Sequence, residues 1–195
     1  MGASLGPCPT QFGDQCTAEK LIMVDEDGEG MNDEPCALLM LDRGTDYVDV
    51  FTLKAKTADE CHRCFLEFAG PHDYIKELFT DNAPELIKAA ETAQWINSTS
   101  TPGRPQSNGV AERTVRSVKE GARTILLVAG LTPKFWPLAL RHWCFSRNTR
   151  KRRTGKPVAL PFTNAFCLRN RNHAFSGQKV RFGAPIDFRQ SPAKD

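Results

Sequence analysis

The chain has 195 residues, 40% of them hydrophobic, which suits one domain with a core of ordinary size. It contains no apolar run of about eighteen residues and no basic segment followed by an apolar one at its start, so neither a membrane span nor a signal peptide is expected. The net charge of +3 hides a division, because residues 1–100 carry seven Lys/Arg and nineteen Asp/Glu, whereas residues 101–195 carry nineteen and four. This asymmetry predicts nucleic-acid contact by the second half.

The seven cysteines are irregularly spaced. Without a secretion signal, they predict reduced thiols in an intracellular protein. Cys8 and Cys16 have no His pair nearby, so we expect no zinc site there. Cys61 and Cys64 form a single CxxC pair, for which the core of a helix is the favoured interpretation.

Hydrophobic periodicity and turn residues predict an alternation of strands and helices after an irregular lead-in over residues 1–15. The first three strands read as an antiparallel meander. The predicted elements are strands over 17–24, 37–41 and 47–53, a helix over 58–68, a strand over 75–80, a helix over 84–94, a strand over 95–98, and helices over 111–129 and 133–148. One or two short strands are expected over 177–188, packing loosely on the rest.

A glycine- and proline-rich loop over 100–110 precedes the predicted helix over 111–129. In that helix Glu112, Arg116, Lys119 and Arg123 recur on one stripe, which places a carboxylate in the first turn at the head of a basic ridge. This arrangement favours a site that holds a divalent metal and binds a polyanion. The alternative is a solvated helix face whose acidic residue is favoured by the helix dipole.

Two motifs give this arrangement a family resemblance. Pro102-Gly-Arg-Pro-Gln-Ser-Asn-Gly-Val-Ala-Glu-Arg113 closely resembles the last active-site motif of retroviral and retrotransposon integrases. Glu77-Leu-Phe-Thr-Asp-Asn-Ala-Pro-Glu85 resembles the second motif of that family, with Ala83 where Gly is usual. Thirty residues separate Asp81 from Glu112, which is a short variant of the family spacing. The segments Pro133–Asn148 and Gly177–Phe188 are similar to copia-type sequences that follow the catalytic helix.

The resemblance implies a triad of acidic residues, of which Asp81 and Glu112 match the second and third. Gly13-Asp-Gln-Cys-Thr-Ala-Glu19 is similar to the segment that carries the family's first Asp, and it places Glu19 at that position. Asp25 is the alternative, since it lies six residues further on and on the same strand face if the strand continues. Register favours Glu19, whose extra methylene predicts a relaxed or lost metal geometry.

The resemblance further implies an α/β, ribonuclease-H-like fold with a mixed five-stranded sheet flanked by helices. Residues 16–150 would form the catalytic core, and residues 151–195 a basic linker and a short C-terminal extension. The three carboxylates would hold two Mg²⁺ or Mn²⁺ ions, because these hard ions prefer oxygen ligands. Residues expected to contact DNA are Asn82, Asn108, Arg113, Arg116, Lys119, Arg123, Arg150, Lys151, Arg152 and Arg153. The basic run over 147–156 is equally typical of a solvated tail or a nuclear localisation signal, and turn chemistry is the alternative for the two asparagines.

The implied activity is metal-dependent polynucleotidyl transfer, in which a copia-like retrotransposon integrase inserts element DNA into target DNA. The implied partners are the element ends, the target DNA and further copies of the chain, with no membrane, in the cytoplasm and nucleus. The main alternative is a catalytically impaired DNA-binding relic of the same fold, which the glutamate at the first acidic position permits. A hydrolytic nuclease is the third hypothesis, and the Pro105–Glu112 loop argues against it.

Overall fold

The computed structural model describes residues 9–23, 28–99, 105–150, 152–153, 162–163, 165–171 and 173–185, with backbone alone at 99, 105–108, 152–153 and 162–163. None of the helices in this described part combines the length and apolar character that a membrane crossing requires.

Five strands form one mixed sheet in the order β3-β2-β1-β4-β5. β1, β2 and β3 pair antiparallel, whereas β4 runs parallel to β1 and β5 runs parallel to β4. The predicted five-stranded mixed sheet is thereby confirmed, including its antiparallel meander. The strands are β1 (Cys16–Ile22), β2 (Cys36–Asp42), β3 (Val48–Leu53), β4 (Glu77–Thr80) and β5 (Ile96–Thr99).

The helices cover both faces of the sheet. One hydrophobic cluster joins alternate residues of the strands to α1 (Ala58–Ala69) and α2 (Pro84–Ala93). The other joins the opposite set of strand residues to α3 (Pro105–Ala129) and α4 (Trp136–Asn148), with a 3-10 turn over Pro133–Phe135 before α4. Every strand of the meander is therefore buried on both faces, which explains why β2 is apolar along almost its whole length.

The cysteines behave as core residues. Cys61 and Cys64 are both fully buried in α1, so the interpretation of this CxxC pair as helix core is confirmed. The cysteines in the described part of the chain all carry free thiols.

The long helix begins earlier than the sequence predicts. The expected loop over 100–110 is wrong for residues 105–110, which are already helical in α3, and Glu112 consequently lies beyond the first turn. Proline is tolerated in a first helical turn because its missing N–H would be unpaired there anyway, and this accounts for a start at Pro105. Gly109 costs a helix interior about 1 kcal/mol, which the packing of a 25-residue helix outweighs.

Side chains occupy backbone groups along the β3 edge of the sheet. Val48 of the edge strand β3 donates its N–H to Asn148 Oδ1 at 3.1 Å, and Asn148 Nδ2 donates to the Val48 carbonyl at 2.7 Å. Asp49 Oδ1 accepts the N–H of Val50 at 2.8 Å. Edge strands whose backbone groups are occupied in this way offer less template for pairing with other chains.

The segment after the core is partly anchored. A short helix, α5 (Ala165–Arg169), ends in Arg169, which donates to the Phe68 and Ala69 carbonyls and to Asp73, and stacks over Phe12 at 3.7 Å from the ring centroid. Residues 173–185 contain no strand, so the prediction of short strands is wrong over this range. They remain mostly exposed and touch the core through a few aromatic rings, such as Phe182 beside His142.

Two glycines of α3 provide a test of how this helix packs. A Cβ at Gly121 would collide with the indole ring of Trp143 on α4, whereas a Cβ at Gly109 would meet nothing within 4 Å. We expect Gly121→Ala to lower the free energy of unfolding by about 1–3 kcal/mol through overpacking. Gly109→Ala should raise it by about 0.5–1 kcal/mol, because alanine loses less entropy in a helix.

Urea denaturation of the two variants and the parent chain measures both effects. Equal effects of the two alanines on stability would contradict the close approach of α3 and α4 at Gly121.

Candidate metal-binding active site

The parallel pairing of β1 with β4 brings two of the predicted acidic residues side by side. Ala18 of β1 pairs with Thr80, the last residue of β4. Glu19 and Asp81 each follow by one position, so they occupy adjacent places at the same level of the sheet. Both side chains are half-buried.

Asp81 is held by the start of the next helix. Its Oδ1 accepts the N–H of Ala83 at 3.1 Å, and Ala83 is the N-cap residue of α2. This turn connects the strand end directly to the helix, because Pro84 follows at the first helical position. The carboxylate of Asp81 is therefore oriented by the turn that begins α2.

The third acidic residue, Glu112, comes from α3, which packs on the face of the sheet opposite α1 and α2. Glu112 lies on an exposed position of α3, flanked by Ala111 and Thr114, which are buried. Further along the helix, Val118 packs into the core on the sheet, and Lys119 Nζ donates to the Ile22 carbonyl at the end of β1 at 3.3 Å. α3 thus packs on the sheet beside the end of β1, and Glu112 lies two turns before Lys119 on this helix.

The charges of Asp81 and Glu112 both act on Glu19. The pKa of Glu19 is raised from 4.5 to about 7, in the first place by burial and then by the negative charges of Asp81 and Glu112. A carboxyl group that is partly desolvated beside two like charges favours its protonated form. The structure places Glu19 on β1 and Asp81 directly after the adjacent strand β4, within electrostatic range of Glu112, and the role of the three as a metal-binding triad stays a prediction. Asp25, the alternative, lies outside the described residues.

The donor chemistry fits hard divalent cations. Three carboxylates supply oxygen ligands, and their mutual repulsion leaves a local excess of negative charge that a cation would neutralise. Within the described residues, no three His, Cys, Asp or Glu side chains already stand in a metal-binding arrangement. The three carboxylates would therefore have to converge further around an ion.

An ion pair beside the carboxylates was not assigned a role from the sequence. Lys20, next to Glu19 on β1, pairs with Glu85 in the first turn of α2, and both side chains are largely buried. Burial alone would lower the pKa of Lys20, but the hydrogen bond to Glu85 and the charges of Glu85 and Asp81 raise it. Glu85 belongs to the second integrase-like motif, so the sequence singled out this residue. It did not indicate that Lys20 would be its ion-pair partner.

The residues predicted to contact DNA occupy several positions. Asn82, Arg116 and Arg150 are exposed, and Lys119 and Arg123 are half-buried on α3. Arg113 is exposed but folds back on its own helix, donating from Nε to the Gly109 carbonyl at 2.9 Å. Lys151 and the side chains of Asn108, Arg152 and Arg153 lie outside the described residues; the backbone of Arg152–Arg153 forms β6, which pairs with β7 (Phe162–Thr163).

Comparison with solved structures defines the fold class. The chain superimposes on a chain of the simian T-cell lymphotropic virus intasome in complex with PP2A regulatory subunit B56 gamma, with a TM-score of 0.62 and 15% identity over 94% of this chain and 63% of that one. It superimposes on the catalytic core domain of BIV integrase with a TM-score of 0.54 and 16% identity, over 82% of this chain and 95% of the other. The fold is that of retroviral integrase catalytic cores, which confirms the ribonuclease-H-like class.

Comparison of sequences adds a particular relative. The chain is 32% identical, over 104 residues and 48% of its length, to the retrovirus-related Pol polyprotein from transposon TNT 1-94 of Nicotiana tabacum. It spans 8% of that polyprotein. No family model matches the chain. Together the similarities confirm the resemblance read from the motifs and support an integrase-like domain.

The shifted pKa of Glu19 has a consequence for stability in metal-free protein. Because the folded-state pKa lies above the unfolded value, the native state binds more protons between about pH 4.5 and 7, and stability falls as the pH rises through this window. We expect Glu19→Gln, which cannot ionise, to exceed the parent chain in unfolding free energy at pH 8 by about 1–3 kcal/mol, and to match it near pH 4.

Thermal and urea denaturation in EDTA from pH 4 to 8 measures this difference. Asp81→Asn removes one of the two neighbouring charges and should reduce the fall in stability only in part. The assignment is wrong if Glu19→Gln shows the same pH dependence as the parent.

Proposed function

We propose that the chain is the catalytic core of a copia-like retrotransposon integrase, which inserts element DNA into target DNA by metal-dependent polynucleotidyl transfer. The observation that supports this proposal is the placement of Glu19 and Asp81 at the same level of two paired strands, with Glu112 on α3 close enough for its charge to act on Glu19. Their order and spacing match integrase-like motifs, and the fold is that of integrase cores.

The roles of the acidic residues follow from their chemistry. Glu19, Asp81 and Glu112 would hold two divalent ions, Mg²⁺ or Mn²⁺. When bound, such ions activate the attacking oxygen and stabilise the leaving one. In strand transfer the 3′ oxygen of the element DNA bonds to a target phosphorus, and the bond from that phosphorus to its own 3′ oxygen breaks. No covalent link to the protein is required, so the chain's task is to position carboxylates and DNA.

The basic residues support a DNA substrate. Arg116 projects from α3 one turn beyond Glu112, and Lys119 and Arg123 continue the stripe on the same helix. A row of cations leading from a carboxylate site suits a phosphate backbone, with contacts that depend on charge more than on base sequence. Assembly of several copies on DNA and residence in cytoplasm and nucleus belong to the same proposal, by similarity to integrases.

The first test is metal binding. Calorimetric titration with Mn²⁺ should show binding to the parent chain and its loss in Asp81→Ala, because removing one of three oxygen ligands opens the site. Asp59→Ala serves as the matched control, since Asp59 is an exposed carboxylate on α1. The titration is repeated in the presence of a DNA end, because the site could bind Mn²⁺ only when DNA is also bound. Failure of the parent to bind in both conditions would support a DNA-binding relic and contradict the proposed enzyme.

The second test addresses the glutamate at the first acidic position. Glu19→Asp should raise strand transfer between a short DNA end and a plasmid by about 10-fold to 100-fold, because small displacements of reacting groups cost rates of this order. Asp81→Ala should abolish the reaction in either background. Unchanged or reduced activity in Glu19→Asp would contradict the assignment of Glu19 as the first ligand.

A further inference from the structure

The ion pair between Lys20 and Glu85 ties together the two elements that carry Glu19 and Asp81. Lys20 follows Glu19 on β1, so its side chain leaves the opposite face of the sheet, toward α1 and α2. Its side chain is 17% exposed and that of Glu85 is 18% exposed. A pair with so little exposure is screened less by solvent and salt than a surface pair.

Glu85 lies in the first turn of α2, which has no side-chain cap to hold it in place. Its N-cap residue, Ala83, has no side chain that can accept a capping hydrogen bond, and the helix begins at Pro84. Leu86 and Ile87 both donate their N–H groups to the Ala83 carbonyl at 3.0 and 3.1 Å, and Ala83 in turn donates to Asp81 Oδ1. Displacing this first turn would therefore displace the carboxylate of Asp81.

We propose that Lys20 is a positioning residue of the metal site: by holding Glu85, it fixes the first turn of α2 against β1 and so sets the spacing between the carboxylates of Glu19 and Asp81. This inference rests on the proposed function for its consequence in metal binding. The mechanical part, the tether of α2 to β1, is a property of the metal-free chain.

The direction of the effect separates positioning from simple electrostatics. Lys20 is a cation within range of Asp81, so on charge alone its removal would strengthen the binding of another cation. If Lys20 positions the ligands, its removal weakens metal binding instead. Residues that orient metal ligands without touching the metal typically contribute 10-fold to 100-fold in affinity.

The test compares Lys20→Met, which keeps the apolar stem and removes the charge, with Lys20→Arg, which keeps the charge. Mn²⁺ affinity by calorimetry should fall by about 10-fold to 100-fold in Lys20→Met and recover most of the way in Lys20→Arg. Lys88→Met is the control, because Lys88 pairs with Glu91 at 3.6 Å on the exposed side of the same helix. A Mn²⁺ affinity in folded Lys20→Met that equals or exceeds that of the parent would overturn the inference.

Amide hydrogen exchange in EDTA gives a second measurement that does not involve metal. Exchange at Ala83, Leu86 and Ile87 should accelerate by about 10-fold in Lys20→Met and stay unchanged in Lys88→Met. Glu85→Gln breaks the same pair from the other side, so it replaces Lys20→Met if that variant does not fold. If the parent binds no Mn²⁺ but these amides still accelerate, the proposed function fails while the tether stands; if the amides do not respond, the tether is wrong.

Discussion

The parallel pairing of β1 with β4 is the constraint on which the site depends. A strand alternates its faces with every residue, so a slip of one position would turn Glu19 into the layer of α1 and α2 and away from α3. The pairing is protected from slipping by burial, because Ala18 and Leu21 are packed into different cores on opposite faces. The geometry of the carboxylates is thus a product of two hydrophobic cores rather than of contacts among the carboxylates themselves.

The electrostatic repulsion among the acidic residues destabilises Glu19, which also lies on β1. A half-buried carboxyl beside two like charges is less stable as an anion, and the fold retains it although a neutral side chain would suit the metal-free protein better. Uncompensated polar groups of this kind are expected at functional sites, where stability is given up for chemistry. The division of charge along the chain follows the two sides of this candidate site. The acidic half supplies Glu19 and Asp81, and the basic half supplies α3, the helix that carries Glu112.

Much of the fold was predictable from the sequence, for identifiable reasons, and the motifs named the three acidic residues of the candidate site. Apolar residues bounded by turn residues mark the strands, most continuously in β2, so the meander and the strand that ends just before Asp81 could be predicted. The helix start at Pro105 was missed because Pro and Gly favour loops locally, while a long helix packed on a sheet tolerates both near its end. The partner of Glu85 could not be predicted, since Lys20 lies 65 residues away and nothing local indicates which strand α2 will meet.

The glutamate at position 19 can be reconciled with the geometry by asking which carboxylate is able to move. β1 is central in the sheet, so its backbone cannot retreat to offset the extra methylene of Glu19. Asp81 is bound to the first turn of α2, which the ion pair of Lys20 and Glu85 holds against β1. Glu112 is the exposed member of the three and stands on a single helix near its N-terminal end. If Glu19 is the first metal ligand, as proposed, adjustment to its extra methylene would therefore fall to Glu112.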